Sequence, residues 1–427
     1  MSEYKGVGYL RSKLNTVRNR VNTRYEYYEM KNNHTSPEVA IPWKVANCYK
    51  SKLGWCTKAV DLLADRLVVK GFKNDRFGME ELFNMNNSDI LFDSAILGAL
   101  ISSCDFIYLF FQDDGSVGMQ VIDGSNATGI LDRTTNLLTE GYAVLKRDPE
   151  NKEKILLDAY FTKKETVYTD FEQGISYSIP NDAGIPLLVP IICRPDSKRE
   201  FGHSRIARDM MKIQDQAEDL QTRINVMSEI GSWPQKYILG LSESAGEIDN
   251  LKATITSLLR FDKDEDGDKP TVGQFNQLSL ADSLAYFEKM VAQFAGTACI
   301  TTDDMGFVKA NPSSADAKKT ALESLRVIAG KCQRSFGTGF LNAGYTAVCL
   351  RDKQLYKRSA VYETSVVWAP LVEPDAAMLS QIGDGVIKIN QSIPGFFDKA
   401  ALEAMTGIKG ADDVNAGLLE IEGFSAE

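Results

Sequence analysis

Residues 204–230 read SRIARDMMKIQDQAEDLQTRINVMSEI, and the interpretation of the whole chain starts from this stretch. Its apolar residues are spaced alternately four and three positions apart, which is the heptad period of a helix that packs on another helix. This seam consists of Ile206, Met210, Ile213, Ala217, Leu220, Ile224 and Met227. Ser204 is of a type preferred as a helix N-cap, and polar side chains occupy the other faces. A narrow apolar seam on an otherwise polar helix predicts a partner helix.

A second heptad stripe downstream offers that partner. It follows Ser279, which can cap a helix, and comprises Leu280, Leu284, Phe287, Val291 and Phe294. Between the two helices, residues 233–240 and 270–275 are typical of strands, and residues 244–259 are typical of a short helix. The sequence therefore predicts a helical hairpin that carries a small module of strand, helix and strand.

The segment after the second helix begins with a polar loop, residues 299–312, which contains the breakers Gly306 and Pro312. A third helix is predicted from Ser313, with Asp316 placed for a capping box, and it continues to Tyr345 or beyond.

The flanking regions complete an α+β chain. Helical spacing from Trp43 to Leu67, interrupted by Gly54, predicts a helix pair, and the mostly apolar residues 88–103 predict a buried helix. The pattern then changes to short strands, with a turn at residues 113–116 between the first two. These strands are expected at residues 106–111, 117–122, 142–145, 155–160, 166–169 and 175–178. Near the C-terminus two short helices are predicted, at residues 376–389 and 398–405.

Composition limits the class of protein. With 427 residues, 44% of them hydrophobic and 25% charged, the chain can form two or three folded regions. No stretch resembles a membrane span or a secretion signal, so we expect no membrane association. Seven scattered cysteines without a C-x-x-C pair predict reduced, mostly packed thiols. A net charge of −10 argues against a protein that grips nucleic acid over its whole surface, although it suits a channel wall past which DNA slides.

The sequence offers little for catalysis. Its two histidines, His34 and His203, lie in polar contexts far apart, which disfavours a triad or a two-histidine metal site and predicts surface positions. No P-loop motif occurs. We therefore expect a protein that is not an enzyme and that has no cofactor and no resident metal.

Two further motifs are incomplete. Residues 262–267 begin like an EF-hand loop, but its twelfth position is Gly273 instead of glutamate, so a solvated acidic turn is favoured over a weak cation site. Gly337 and Gly339 lack the third glycine of a dinucleotide fingerprint, and we interpret them as close-packing positions.

Several segments, taken in order, resemble bacteriophage portal proteins, particularly those of the SPP1 and HK97 types. Similarity to the family's opening helices lies in residues 25–30, 47–56 and 60–72. Similarity to the start of its first stem helix lies in residues 190–195, 202–206 and 213–216. Residues 232–240 resemble its clip strand, and residues 311–319 resemble the start of its long helix after the tunnel loop. The chain is short for this family, so a small crown is expected.

The resemblance implies a dodecameric ring at one capsid vertex of a virion, assembled in the cytoplasm of a bacterial host. It implies double-stranded DNA in the channel, and as partners the major capsid protein, the scaffolding protein, the large terminase and a head-tail adaptor. Carried onto this chain, the parts are an N-terminal wing, a first stem helix, a clip, a second stem helix, a tunnel loop, a long helix with the C-terminal wing, and a crown. Their ranges are 1–203, 204–230, 231–278, 279–298, 299–312, 313–371 and 372–427.

The same resemblance assigns three sets of site residues. The tunnel loop would present Thr301, Thr302, Asp303, Asp304, Lys309 and Asn311 to DNA, with Lys309 meeting phosphate. The stem seam between subunits would include the seven residues of the first stripe together with Leu284, Phe287 and Val291. The clip would dock its partners through Trp233, Lys236, Tyr237, Asp262, Asp264, Glu265 and Asp266.

Two other functions stay open on the residues alone. The heptad helices could form the hairpin of a monomeric or oligomeric scaffold or adaptor protein of a virion. Alternatively, Asp262, Asp264 and Asp266 could bind the metal of a nuclease.

Overall fold

The computed structural model describes residues 4–34, 47–231, 236–239, 271–274, 279–307, 315–361, 363–371, 376–406 and 408. It contains both helices and antiparallel sheets, which confirms the α+β class. The chain divides into two compact units. Unit 1 comprises Met1–Glu29, Thr57–Ala207 and Ser313–Glu427, and unit 2 comprises Met30–Cys56 and Arg208–Pro312.

A three-stranded antiparallel sheet lies at the centre of unit 1. Its order is β3 (Val117–Ile122), β2 (Cys104–Phe111) and β9 (Leu188–Ile192). Phe106 pairs with Ile122 on one side and with Pro190 on the other. The predicted hairpin between β2 and β3 is confirmed, and Gly115 adopts the left-handed φ of 84° that its tight turn requires.

A five-stranded antiparallel meander forms the second sheet of unit 1. It consists of β4 (Ala127–Asp132), β5 (Leu137–Arg147), β6 (Ile155–Phe161), β7 (Glu165–Asp170) and β8 (Ile175–Pro180). The four predicted strands from residue 142 onward are confirmed, whereas β4 was not predicted. Leu10 and Leu14 pack against Tyr142 and Val144 of this sheet.

Unit 1 contains seven α-helices among the described residues. They are α1 (Val7–Tyr28), α2 (Trp55–Ala64, mostly in unit 1), α3 (Met79–Asn84), α4 (Ser88–Ser102), α7 (Ala315–Arg351), α8 (Ala376–Ser392) and α9 (Lys399–Thr406). The buried helix predicted at 88–103 is confirmed by α4, and the two C-terminal helices are confirmed by α8 and α9. The short strands β1 (Val69–Lys73) and β12 (Ser365–Trp368) pair with each other and were not predicted. Among the described residues, no helix combines the length and the apolar character needed to cross a membrane.

The long helix α7 packs closely on the central sheet. A Cβ added at Gly339 would lie 2.9 Å from Ile191 Cδ1 of β9, and one added at Gly337 would lie 3.6 Å from Trp368 Nε1 of β12. The interpretation as a close-packing position is therefore confirmed for Gly339, whereas a Cβ at Gly337 would make only an ordinary contact. The helix extends beyond the predicted Tyr345, and its predicted first residue, Ser313, lies outside the described residues.

The described part of unit 2 includes the helices α5 (Arg208–Gly231) and α6 (Ala281–Ala298) and the strands β10 (Lys236–Leu239) and β11 (Thr271–Gln274). The predicted N-cap at Ser204 is wrong. Its hydroxyl donates to the carbonyl oxygens of Leu100 and Ile101 in unit 1, and the helix begins at Arg208. Ile206, the first residue of the predicted seam, is buried before the helix starts.

Candidate functional site

The pair formed by α5 and α6 carries most residues of the predicted seam. The two helices pack against each other, which confirms the predicted hairpin. On α5 the seam residues Met210, Ile213, Ala217 and Ile224 are buried, and Leu220 and Met227 are half-buried. On α6, Phe287 and Val291 are buried, whereas Leu284 is 48% exposed. Most of the seam is therefore buried within one chain. Leu284, in the first turn of α6, stays exposed.

Trp55 completes this core, although no sequence motif singles it out. Its ring lies 5.7 Å from that of Phe287 and 5.3 Å from that of Phe294, measured between centroids. Tilted aromatic pairs at such distances stabilise a core beyond simple area burial. Three aromatic side chains thus anchor α6 within unit 2.

A second face of α5 is buried and polar, which corrects the expectation of one seam on a solvated helix. Gln214 and Glu218 are 0% and 1% exposed. The Gln214 side-chain oxygen accepts the Cys56 N–H at 2.9 Å, and Glu218 Oε1 accepts the Leu53 N–H at 3.1 Å. Burial raises the pKa of the Cys56 thiol, with a further contribution from nearby Asp215 and Glu218, so this thiol stays protonated.

His34 lies in the same polar cluster and not on the surface. Its side chain is 13% exposed, with Nε2 2.9 Å from Asp219 Oδ1 and Nδ1 3.3 Å from Asp215 Oδ1. One ligand atom each from His34, Asp215 and Glu218 lie within 4.8 Å of one another, which is compatible with a cation site. However, Lys52 Nζ and Asn32 Nδ2 already donate to Glu218 Oε2, at 3.3 and 3.2 Å. The carboxylate is thus neutralised and hydrogen-bonded by protein groups.

His203 is 37% exposed and hydrogen-bonds to Asp196 at 2.5 Å in a surface loop of unit 1, in agreement with the predicted surface position. The predicted reduced, mostly packed thiols are also confirmed, since all seven cysteines are described, five of them are buried and none forms a disulfide.

The two strands predicted for the clip are present as an antiparallel pair. Lys236 lies opposite Gln274, and Tyr237 lies opposite Gly273. The other clip residues assigned from the sequence lie outside the described residues, as does the predicted helix at 244–259. They are Trp233, Asp262, Asp264, Glu265 and Asp266.

The predicted tunnel loop starts as a closed turn. Cys299 ends α6 in the left-handed conformation with φ 53°. Asp304 Oδ2 accepts the N–H and the hydroxyl of Thr301, at 3.0 and 2.8 Å, and the Asp304 N–H donates back to the hydroxyl at 3.0 Å. Thr302 and Asp303 lie within this turn, and Lys309 and Asn311 lie outside the described residues. The described part of the loop is therefore held by its own hydrogen bonds.

Comparison with known protein families finds a match over most of the chain. The family model described as phage portal protein, SPP1 Gp6-like, matches residues 8–383. Among solved structures, a chain from the "Virion of native gene transfer agent (GTA) particle" is 10% identical with a TM-score of 0.44, and the match covers 92% of this chain and 100% of that one. A chain from the "Neck of empty GTA particle computed with C6 symmetry" is 10% identical with a TM-score of 0.46, and the match covers 84% and 91%. No curated protein matches significantly.

Proposed function

This chain belongs to the SPP1 Gp6-like family of phage portal proteins, and from that premise we propose that it forms a closed dodecameric ring at one vertex of a capsid. A portal protein is a structural part of a phage-like virion and of its head-tail connector. In the proposed subunit, residues 204–230 and 279–298 are the stem, 231–278 the clip and 299–312 the tunnel loop. Residues 1–203 and 313–371 are the wing, and 372–427 the crown.

The observation that best supports a ring, beside the family match, is the apolar surface left on α6. Leu284 is 48% exposed and Tyr286 is 57% exposed. Two positions apart on a helix, the two side chains point about 200° apart, so they face opposite sides. In a closed ring each subunit makes two different contacts, one with each neighbour. Leu284 and Tyr286 suit these two contacts.

The channel would carry double-stranded DNA during packaging and ejection. The tunnel loop would start with the hydrogen-bonded turn of Thr301, Thr302, Asp303 and Asp304. The residues proposed to reach the DNA phosphates are Lys309 and Asn311. The net charge of −10 for each chain supports a wall that does not hold DNA tightly, because tight binding requires clustered cations.

The remaining partners follow from the proposed parts. The clip would dock the large terminase and a head-tail adaptor through Trp233, Lys236, Tyr237, Asp262, Asp264, Glu265 and Asp266. The wing would contact the major capsid protein and the scaffolding protein. Assembly would take place in the cytoplasm of the bacterial host.

The size of the assembly tests this proposal. The full chain at micromolar concentration should form rings in mass photometry and negative-stain microscopy. Leu284→Asp should give free subunits with an unchanged circular dichroism spectrum, because a carboxylate cannot be buried unpaired between subunits, whereas Leu284 is exposed within one. Gln293→Asp introduces the same charge at another exposed position of α6 and should still form rings.

A wild-type chain that stays monomeric at micromolar concentration would contradict the ring and favour the scaffold or adaptor protein. Metal-dependent DNA cleavage that is lost in Asp264→Ala would instead favour the nuclease.

A further inference from the structure

Unit 1 contains a strongly cationic pocket that the portal function does not use. It is a cavity of about 310 Å³ between α1, the start of β2, β4 and the loop at residues 198–202. Six cationic side chains line it, together with a single carboxylate, Glu200, among the residues that the structure describes. They are Lys13, Arg20, Arg24, Arg133, Lys198 and Arg199. Such a concentration is unexpected on a chain with a net charge of −10.

The arrangement follows from the period of α1. At 3.6 residues per turn, Lys13, Arg20 and Arg24 fall within about 40° of one another on the helix. Val17 lies on the same face and lines the pocket, while Leu10 and Leu14 are buried in the core of the unit. The helix therefore presents a continuous cationic stripe above an apolar floor.

Backbone carbonyls hold two of these cations in place. Lys13 Nζ donates to the Gly129 carbonyl at 2.7 Å and lies 4.5 Å from the centroid of the Phe201 ring. One guanidinium nitrogen of Arg24 donates to the Ser102 carbonyl at 2.9 Å. Burial lowers the pKa of Lys13, which means that its charged form lacks the stabilisation that water would give.

Two carboxylates lie near these cations: Glu200, and Asp196, whose Oδ1 accepts the backbone N–H groups of Lys198 and Arg199 at 2.7 and 2.6 Å. Glu200 pairs with Arg133 at 3.3 Å. In the described part of the chain, Arg20, Lys198 and Arg199 have no carboxylate within ion-pair distance. An incoming anion would meet several uncompensated cations in one concave site, where their fields add.

We propose that this pocket binds phosphate groups, either of a nucleic-acid backbone or of a free oligophosphate. Arginine guanidinium groups match phosphate oxygens with two parallel hydrogen bonds, and lysines add point charges. A volume near 300 Å³ is at the small end of ligand pockets, so the site suits a few linked phosphates better than a large organic ligand. The inference does not depend on ring formation, because every residue of the pocket belongs to one subunit.

Binding to two probes at fixed salt tests the proposal. Tripolyphosphate is titrated into the full-length protein by calorimetry, and a fluorescein-labelled DNA duplex is followed by anisotropy. Arg20→Gln/Lys198→Gln should weaken phosphate binding by about tenfold or more, since two charge-assisted contacts are lost. The control Lys58→Gln/Lys70→Gln removes two exposed cations elsewhere in unit 1 and should bind within about twofold of wild type.

The outcomes distinguish the two possible sources of the bound phosphate groups. Pocket-dependent binding of DNA but not of tripolyphosphate identifies a nucleic-acid backbone, and the reverse identifies a free oligophosphate. The proposal is overturned if wild type binds neither probe, or if the pocket variant binds like the control. It is also overturned if an oligoglutamate peptide displaces tripolyphosphate with higher affinity, because the pocket would then be selective for an acidic protein segment.

Discussion

Asp105 is a fully buried carboxyl group in the core of unit 1. Its Oδ1 accepts hydrogen bonds from the Ser102 hydroxyl at 2.6 Å and from the Gly124 N–H at 3.1 Å. Its Oδ2 lies against α4 at Gly98, where an added Cβ would be 1.8 Å away. Burial is the largest cause that raises the pKa of Asp105, to about 8, so the group is mostly protonated near neutral pH.

This raised pKa predicts a stability that falls as pH rises. An unfolded aspartate ionises near pH 3.9, whereas folded Asp105 holds its proton until pH reaches about 8. The contribution of Asp105 to the free energy of unfolding is fully present below about pH 4. Between about pH 4 and 8 this contribution falls by up to about 1.4 kcal/mol per pH unit. Asp105→Asn cannot ionise and should gain stability relative to wild type between about pH 5 and 8, measured by urea unfolding. Asp113→Asn, at an exposed turn, should follow the wild-type profile, and a constant difference for Asp105→Asn would contradict the assignment.

Glu218 is the centre of the polar cluster in unit 2, and removing it should destabilise the fold. Glu218→Ala leaves the Leu53 N–H without its acceptor and removes one acceptor each from the Lys52 ammonium and the Asn32 amide, which keep Asn32 oxygens and Asp215 Oδ1 as partners. We expect a loss of about 1–3 kcal/mol in the free energy of unfolding, measured by chemical denaturation, because the part-buried Leu53 N–H is left unsatisfied. Glu229→Ala, at an exposed position of the same helix, should change it by about 0.5 kcal/mol or less. Equal losses in the two variants would show that the cluster contributes little.

The helix α7 needs a glycine at position 339, where it packs on β9. Ile191 is fully buried, so its δ-methyl group, 2.9 Å from a Cβ added at Gly339, has little room to move. Gly339→Ala should therefore lower the free energy of unfolding by about 1–3 kcal/mol, because the added methyl group overpacks the contact. Gly330→Ala, whose Cβ would meet Leu371 at an ordinary 3.8 Å, should stabilise the helix by about 1 kcal/mol. Thermal unfolding of the two variants checks this, and a stabilising Gly339→Ala would show that α7 can move away from β9.

Elements with strong periodicity could be predicted from the sequence. The stripes on α5 and α6 follow the heptad period because apolar burial produces it, and Asp114 and Gly115 reveal the β2–β3 turn through their turn chemistry. The start of α5 could not be predicted, because Ser204 uses its hydroxyl on the carbonyls of another helix. A local capping signal does not reveal a tertiary partner.

The polar side of the candidate site could not be predicted either. Gln214 and Glu218 have the spacing of solvated helix positions, and their partners Asn32 and Lys52 are far away in the sequence. No local pattern connects such residues. Similarly, the cationic stripe of α1 lines a pocket only together with Arg133 and the loop at residues 198–202, which are distant in the sequence.

At the scale of the whole molecule, charge should govern assembly. Each subunit carries a net charge of −10, so subunits in the proposed ring repel one another, while the exposed Leu284 and Tyr286 provide uncharged contacts. Raising salt from about 50 to 300 mM shortens the range of this repulsion. The fraction of subunits in rings at limiting protein concentration should therefore increase, as measured by mass photometry. A decrease would indicate that ion pairs dominate the contact.

The pairing of β1 with β12 also bears on protein synthesis. Val69 lies opposite Trp368, and Lys73 lies opposite Ser365. A ribosome makes β1 early but releases β12 only after all of unit 2 and the helix α7 have been translated. Until then the nascent chain cannot close unit 1, because non-local strands pair only when both are available. A prematurely terminated polypeptide is thus left with β1 unpaired, and its free N–H and C=O groups favour pairing with strands of other chains.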